Sequence, residues 1–300
     1  MELLAIILLI ISAFVHALWN ILGKREARPS KEFFLVANSI GCCFLLPILL
    51  ASYQVILQLP LIIWGLMLLA GLFEAIYFIG LAKNYRAGDI SITYPIARSF
   101  PIILVIIISI YFFHDRTLTM RLILGGVLVI VGCIMIVMKH FTDFEFKRYF
   151  SKMLLSVYLT AVATAGYLLV DNQTLQYLKL LNLSANIIVV AILYSFIRGV
   201  FTSWWLLLVV LPKETNRINL AKVLKTRLFQ TTLTGMGIYL TYTLVLISMP
   251  LMNNISYVTI LRQLSIPIAA FIGLYFLHET KYPPKVLGII IILLGVIIAH

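Results

Sequence analysis

The chain alternates long apolar stretches with short polar connections. Divided at its charged and Pro/Gly clusters, it yields ten apolar spans, near 3–22, 33–53, 61–82, 90–113, 122–138, 153–171, 186–211, 228–248, 255–277 and 286–299. A helix needs roughly 20 mostly apolar residues to cross about 30 Å of hydrocarbon, and most of these stretches reach that length. The pattern predicts an all-α membrane protein of ten transmembrane helices. The short tenth span gains length if its helix starts within Tyr282-Pro283-Pro284, because proline is tolerated in a first helical turn. The first span opens on Glu2 rather than on basic residues and runs into Lys24-Arg25 without a small-residue cleavage site. It is expected to stay in the mature protein rather than act as a signal peptide.

Composition agrees with the pattern. Of 300 residues, 62% are hydrophobic and 11% charged, with a mean hydropathy of +1.07, whereas a soluble domain carries about 25% charged residues. The formal net charge of +12 would suggest a nucleic-acid partner in a soluble protein. Here the basic residues sit in short connections, so nucleic acid is not expected and the bilayer is. Odd-numbered connections hold 17 of the 23 Lys and Arg residues and even-numbered ones hold 3. Basic residues near helix ends favour the cytoplasm. The expected arrangement is therefore a multi-pass protein of the cell (inner) membrane with odd-numbered loops cytoplasmic and both termini outside. The remaining 3 basic residues, Arg98, Arg198 and Arg262, lie inside spans. Cys42, Cys43 and Cys133 all fall in apolar runs, without disulfide or metal-ligand spacing.

The two halves echo each other. Arg98 matches Arg262, and His114-Asp115 matches His278-Glu279. After a one-residue slip, Gly125 and Gly132 match Gly288 and Gly295. The stretch from Ser12 to Trp19 runs parallel to that from Thr160 to Tyr167. This predicts one five-helix repeat over 1–139, a linking loop over 140–152 and a second repeat over 153–300. Five is odd, so the second repeat enters the membrane inverted, a transporter signature that places the substrate at the repeat interface near the midplane. The paired glycines allow close helix approach, either within the bundle or in a homodimer through the Gly125/Gly132 or Gly288/Gly295 faces.

Two strings carry a more specific likeness. His16-Ala17-Leu18-Trp19-Asn20 followed by Lys24, and Tyr85-Arg86-Ala87-Gly88-Asp89-Ile90-Ser91-Ile92-Thr93-Tyr94-Pro95-Ile96-Ala97-Arg98 followed by Pro101, resemble the EamA branch of the drug/metabolite transporter superfamily. The resemblance spans the whole chain, five helices plus five. It implies a basket of ten helices that moves metabolites by alternating access. The first, third, fourth, sixth, eighth and ninth helices would line the cavity, with the fifth and tenth peripheral.

An ionised residue near the bilayer centre costs at least about 2.5–3.5 kcal/mol on insertion scales, so each needs a partner, an aqueous cavity or a function. Glu74 lies nine residues before Lys83, and Arg98 nine residues after Asp89. Both then sit about 13 Å from the same membrane face at 1.5 Å per residue, and an ion pair between them is geometrically open. It would serve either a substrate or proton site or a structural lock. His16 falls at a similar depth, as proton carrier, substrate ligand or interhelical hydrogen-bond partner. Asn20 and Trp19 accompany His16, Tyr77 accompanies Glu74 and Tyr94 accompanies Arg98 on their helices. In the second repeat Tyr239, Tyr242, Asn254, Thr259 and Gln263 add hydrogen-bonding groups around Arg262. Arg98 and Arg262 suit a carboxylate or phosphate-type group, which guanidinium binds bidentately. Arg198 has no acidic neighbour in sequence and is read as snorkelling or bonded to a carbonyl. Pro95, Pro101 and Pro267 mark helix interruptions where a gate could bend. Trp204-Trp205 and tyrosines near span ends fit an aromatic belt, and the His114 and His278 motifs fit helix-end anchoring.

These residues point to a secondary transporter of a small organic anion or zwitterion, with Glu74 or His16 as a proton relay. Efflux of cationic or aromatic compounds centred on Glu74 is the alternative, and a membrane enzyme acting on lipid-linked substrates is the alternative from another class. No Walker-type nucleotide loop, paired catalytic carboxylates or His-rich metal motif occurs in the sequence, so no enzyme, cofactor or metal is expected.

Overall fold

The computed structural model describes residues 2–24, 29–87, 90–114, 118–143, 154–181, 183–252, 254–275, 278 and 280–299; the side chains of 19–24, 85–87 and 90–95 lie outside this description. The described chain is all-α. Its helices are α1 (Glu2–Lys24), α2 (Lys31–Cys43), α3 (Leu46–Ala51), α4 (Tyr53–Ile56), α5 (Leu61–Ala87), α6 (Ile90–Tyr111), α7 (Met120–Met135), α8 (Leu155–Leu180), α9 (Ile187–Val210), α10 (Glu214–Thr226), α11 (Leu228–Ser248), α12 (Ile255–Leu261), α13 (Ser265–Tyr275) and α14 (Pro283–Ala299). Several start on a side-chain cap that satisfies a backbone N–H otherwise left open in the first turn. Ser30 accepts from Phe33 N, Thr119 from Leu122 N and Asn186 from Ile188 N.

Five stretches, Lys31–Ala51, Leu61–Asn84, Ile187–Val210, Leu228–Leu251 and Ile255–Tyr275, are long and apolar enough to cross a bilayer. Glu2–Leu18, Ile96–Tyr111, Met120–Met135 and Pro283–Ala299 are shorter apolar helices. Large apolar side chains such as Leu57, Leu61, Leu180 and Ile297 stand exposed on the outside, as lipid contact requires.

The structure departs from the predicted spans in four places. The second breaks after Cys43 into α2, α3 and α4. The sixth runs on through Asp171-Asn172-Gln173 to Leu180, well past its predicted end. Asp171 and Asn172 are buried and face protein, while Gln173 is exposed. A surface helix, α10, occupies the basic connection before α11; its Asn216 and Val223 are buried while its lysines stand exposed. The ninth span breaks at Arg262–Leu264, a 3₁₀ turn between α12 and α13. Pro267 has no N–H to return to the Gln263 carbonyl, and the helix tightens there. Pro95 and Pro101, by contrast, sit within an unbroken α6.

The helices pair in a regular scheme. α5 packs on α8 as α11 packs on α1; α5 meets α9 as α11 meets α2; α6 lies against α8 as α13 lies against α1. α2 closes on α9, and α7 on α14. The last contact matches the first of the two expected uses of the paired glycines, close approach within the bundle. A methyl group on Gly132 would come within 2.8 Å of the Gly288 carbonyl oxygen, and one on Gly295 within 2.7 Å of the Gly125 carbonyl oxygen. The two glycine faces are buried against each other within one chain, where missing side chains let the backbones approach, so they offer no surface to a second copy. His114 and His278, at corresponding helix ends, both take left-handed backbone conformations, with φ of 50° and 52°.

Candidate functional site

Arg198, at the middle of α9, is the centre of a buried polar cluster. Only 2% of its side chain is exposed, and it reaches two carboxylates. Its Nη2 donates to Glu74 Oε1 on α5 at 2.9 Å and its Nη1 to Asp171 Oδ2 on α8 at 3.3 Å. Thr202, one turn on, donates to Glu74 Oε2 at 2.7 Å. Asp171 also accepts from Tyr194 at Oδ1 and from Tyr242 at Oδ2, both at 2.6 Å. Three segments distant in sequence thus satisfy one another's charges where neither water nor lipid could.

This placement corrects the sequence reading. Glu74 pairs with Arg198, not with Arg98. Arg198 neither snorkels nor settles on a lone carbonyl. Asp171 escaped notice because its span was expected to end there; the polar pair Asp171-Asn172 was the available signal, had it been read as buried positions of a longer helix.

Arg98 instead meets His16, with Arg98 Nη2 2.7 Å from His16 Nε2. A guanidinium only donates, so His16 Nε2 is the acceptor in this contact. Arg262, at the 3₁₀ break, lies over the Tyr242 ring at 5.2 Å from its centroid, a cation–π distance. Both arginines lie within electrostatic range of His16, and both are half-buried. The Tyr242 ring also faces Arg198 at 4.5 Å. Tyr242 therefore joins the buried cluster to the half-buried arginine region.

The other expected residues divide between these regions and the scaffold. Tyr77 packs edge-on to Tyr167, which packs in turn on Tyr242. Gln263 donates to the Thr259 carbonyl at 3.2 Å, and its Oε1 is buried without a partner among the described residues. Tyr239 sits apart: it donates to Asn38 Oδ1 at 3.1 Å, and Asn38 donates to the Gly199 carbonyl, tying α11, α2 and α9 together. Pro101 and Pro267 are buried in α6 and α13. The side chains of Trp19, Asn20, Tyr94 and Pro95 lie outside the described residues, as does the Asp115 and Glu279 half of each helix-end motif.

Known proteins place this architecture. Residues 3–138 match the EamA-like transporter family. No curated protein matches the chain. A solved structure bearing only the description "Crystal structure of protein" is similar over 99% of this chain and 96% of its own, with a TM-score of 0.67 at 14% identity; that likeness concerns the fold alone. The first half of the chain is thus similar to the EamA-like transporter family, and five of its described helical stretches are long and apolar enough to cross a membrane.

Proposed function

With that similarity as premise, we propose that the protein is a secondary transporter of a small organic anion or zwitterion, working by alternating access between two inverted five-helix repeats over 1–139 and 153–300. The pairing scheme supports the repeats. Exchanging each of α1, α2, α5, α6 and α7 for its counterpart among α8, α9, α11, α12–α13 and α14 reproduces the principal contacts. Inverted repeats of this kind give two alternative closures around a midplane site.

The observation that carries the anion reading is the convergence of two half-buried arginines from corresponding helices. Arg98 of α6 and Arg262 of the α12–α13 break both lie in electrostatic range of His16, in a region of the membrane where positive charge is costly unless a ligand uses it. Arg262 has no carboxylate within ion-pair distance among the described residues. Efflux of cations by Glu74 lacks comparable support, because both Glu74 oxygens are already engaged by Arg198 and Thr202.

The test is a thermal-stability screen of the purified, detergent-solubilised protein against carboxylates, organic phosphates, amino acids and quaternary amines, in wild type, Arg98→Ala and Arg262→Ala. A ligand that binds the folded state raises its melting temperature with dose. Anions should stabilise wild type and lose that effect in folded arginine variants. Stabilisation by cations that survives both changes would sink the proposal. The orientation, with both termini outside the cell membrane, rests on the loop charge bias; labelling of single cysteines placed in odd- and even-numbered loops of intact cells checks it.

A further inference from the structure

The cluster around Arg198 holds two carboxylates and one guanidinium, all buried where α5, α8 and α9 pack together. Fully ionised, it carries one net negative charge where an unpaired charge is costly. A single proton makes it neutral. Glu74 is held by the shorter Arg198 contact, 2.9 Å against 3.3 Å for Asp171, and by Thr202. Asp171 is held mainly by two phenols. Both carboxyls face hydroxyls that can turn from donor to acceptor, but Glu74 keeps the shorter ion pair and Asp171 has two such hydroxyls against one, so Asp171 is the carboxyl whose surroundings better tolerate a proton. With the proton on Oδ1, Asp171 donates to Tyr194, whose hydroxyl also neighbours Thr174. Arg198 is equipped for the same change. Its Nε is buried with no partner among the described residues. That N–H lies on the same side of the guanidinium as Nη2, which already touches Glu74. Released by Asp171, Arg198 can grip Glu74 through Nε and Nη2 in a bidentate pair.

From this geometry we infer that Asp171 is the proton-binding group of the transporter, and that it takes up its proton when an anion occupies Arg262, so that one proton accompanies one anion. The coupling half rests on the anion reading above. Tyr242 is the physical link: its hydroxyl donates to Asp171, and its ring faces both Arg198 and Arg262. In the absence of anion, the charge of Arg262 offsets the negative cluster across that ring. An anion on Arg262 cancels the offset, and a proton on Asp171 replaces it. The titratable and charged groups acting on Asp171 are Arg198 and Tyr194 from α9, Tyr242 from α11 and Glu74 from α5. α6 and α12 also pack on α8; of their charged side chains, Arg98 is turned to His16, and Arg262, at the end of α12, to Tyr242.

The deciding experiment is pH-difference infrared spectroscopy of the full chain in liposomes, with and without succinate or inorganic phosphate, on wild type, Asp171→Asn and Tyr242→Phe. Wild type should show a protonated-carboxyl stretch that disappears as the pH rises. Saturating anion should raise its midpoint by about one pH unit, matching about a tenfold gain in anion affinity on protonation, because the coupling is reciprocal. The band should be absent from Asp171→Asn and displaced in frequency in Tyr242→Phe, which keeps the ring but loses the hydroxyl. A band unchanged in both variants overturns the assignment, and if Asp171→Asn does not fold, the Tyr242→Phe frequency decides alone. A midpoint that does not move with an anion that stabilises the protein overturns the coupling but leaves the transport reading standing. Failure of every anion in the stability screen is failure of that reading and of the coupling with it, while the anion-free band still decides whether Asp171 holds a proton.

Discussion

Arg198 and the pair Arg98–Arg262 are the same side chain put to two uses. Arg198 is 2% exposed and spans two carboxylates, whereas Arg98 and Arg262 are half-buried, one against a histidine and one over a tyrosine ring. The difference follows from what each helix meets. α9 packs on α5, which brings Glu74, and near α8, which brings Asp171, so Arg198 finds charge it can neutralise within the bundle. α6 brings Arg98 to His16 of α1, and the α12–α13 break brings Arg262 over the Tyr242 ring of α11, with no carboxylate within ion-pair distance of Arg262 among the described residues. In the proposed reading, the closed cluster holds the proton and the half-buried pair binds the anion.

The largest expected effect breaks the closed region. Arg198→Ala leaves two buried carboxylates without their counter-charge and should destabilise the protein by about 3–5 kcal/mol, read as a fall in thermal midpoint in detergent. Combining Arg198→Met with Glu74→Gln and Asp171→Asn removes the whole charge set and should recover much of that loss. Arg98→Ala and Arg262→Ala sharpen the contrast from the other side. Each should leave the midpoint of the unliganded protein near wild type yet weaken anion binding by about 1.5–3 kcal/mol, the worth of a charged hydrogen bond, measured by dose-dependent thermal stabilisation. An equal loss of fold stability in all three arginine variants would erase the distinction.

Outside both regions, Gly132→Leu should cost about 1–3 kcal/mol by overpacking the contact of α7 with α14, with anion affinity unchanged in whatever protein folds. Smallest is Tyr239→Phe, which leaves Asn38 Oδ1 without its donor and should cost about 1 kcal/mol. It should not alter anion affinity, because Tyr239 lies with Asn38 and Gly199 rather than with the arginines; a clear loss of affinity would return this tyrosine to the binding region.

Much of the helical order was legible in the sequence, and its errors share a cause. Span ends were placed where polar residues begin, which is sound for a helix facing lipid and misleading for one facing protein. α8 therefore appeared to stop at Asp171, and the buried polar contacts of that residue went unread. The glycine pairs were recognised as contact surfaces, but whether the contact was internal could not be read from one helix at a time. Tyr242 stood among the candidates as a hydrogen-bonding group, and its position between two guanidiniums had no sequence signal.

What the sequence determined by itself is the membrane-bound all-α class, the echo between halves and the presence of three arginines within apolar spans, because hydropathy, periodicity and charge bias are sums over neighbouring residues. Which arginine meets which acid was decided only by the tertiary structure. Counting residues from a helix end estimates depth and puts Glu74, Arg98 and His16 at a similar level; it does not say which way around its axis each helix turns, or which helix stands beside it. Glu74 and Arg198 are 124 residues apart and touch because α5 and α9 pack together, while Arg98, placed at the level of Glu74, faces α1 and His16.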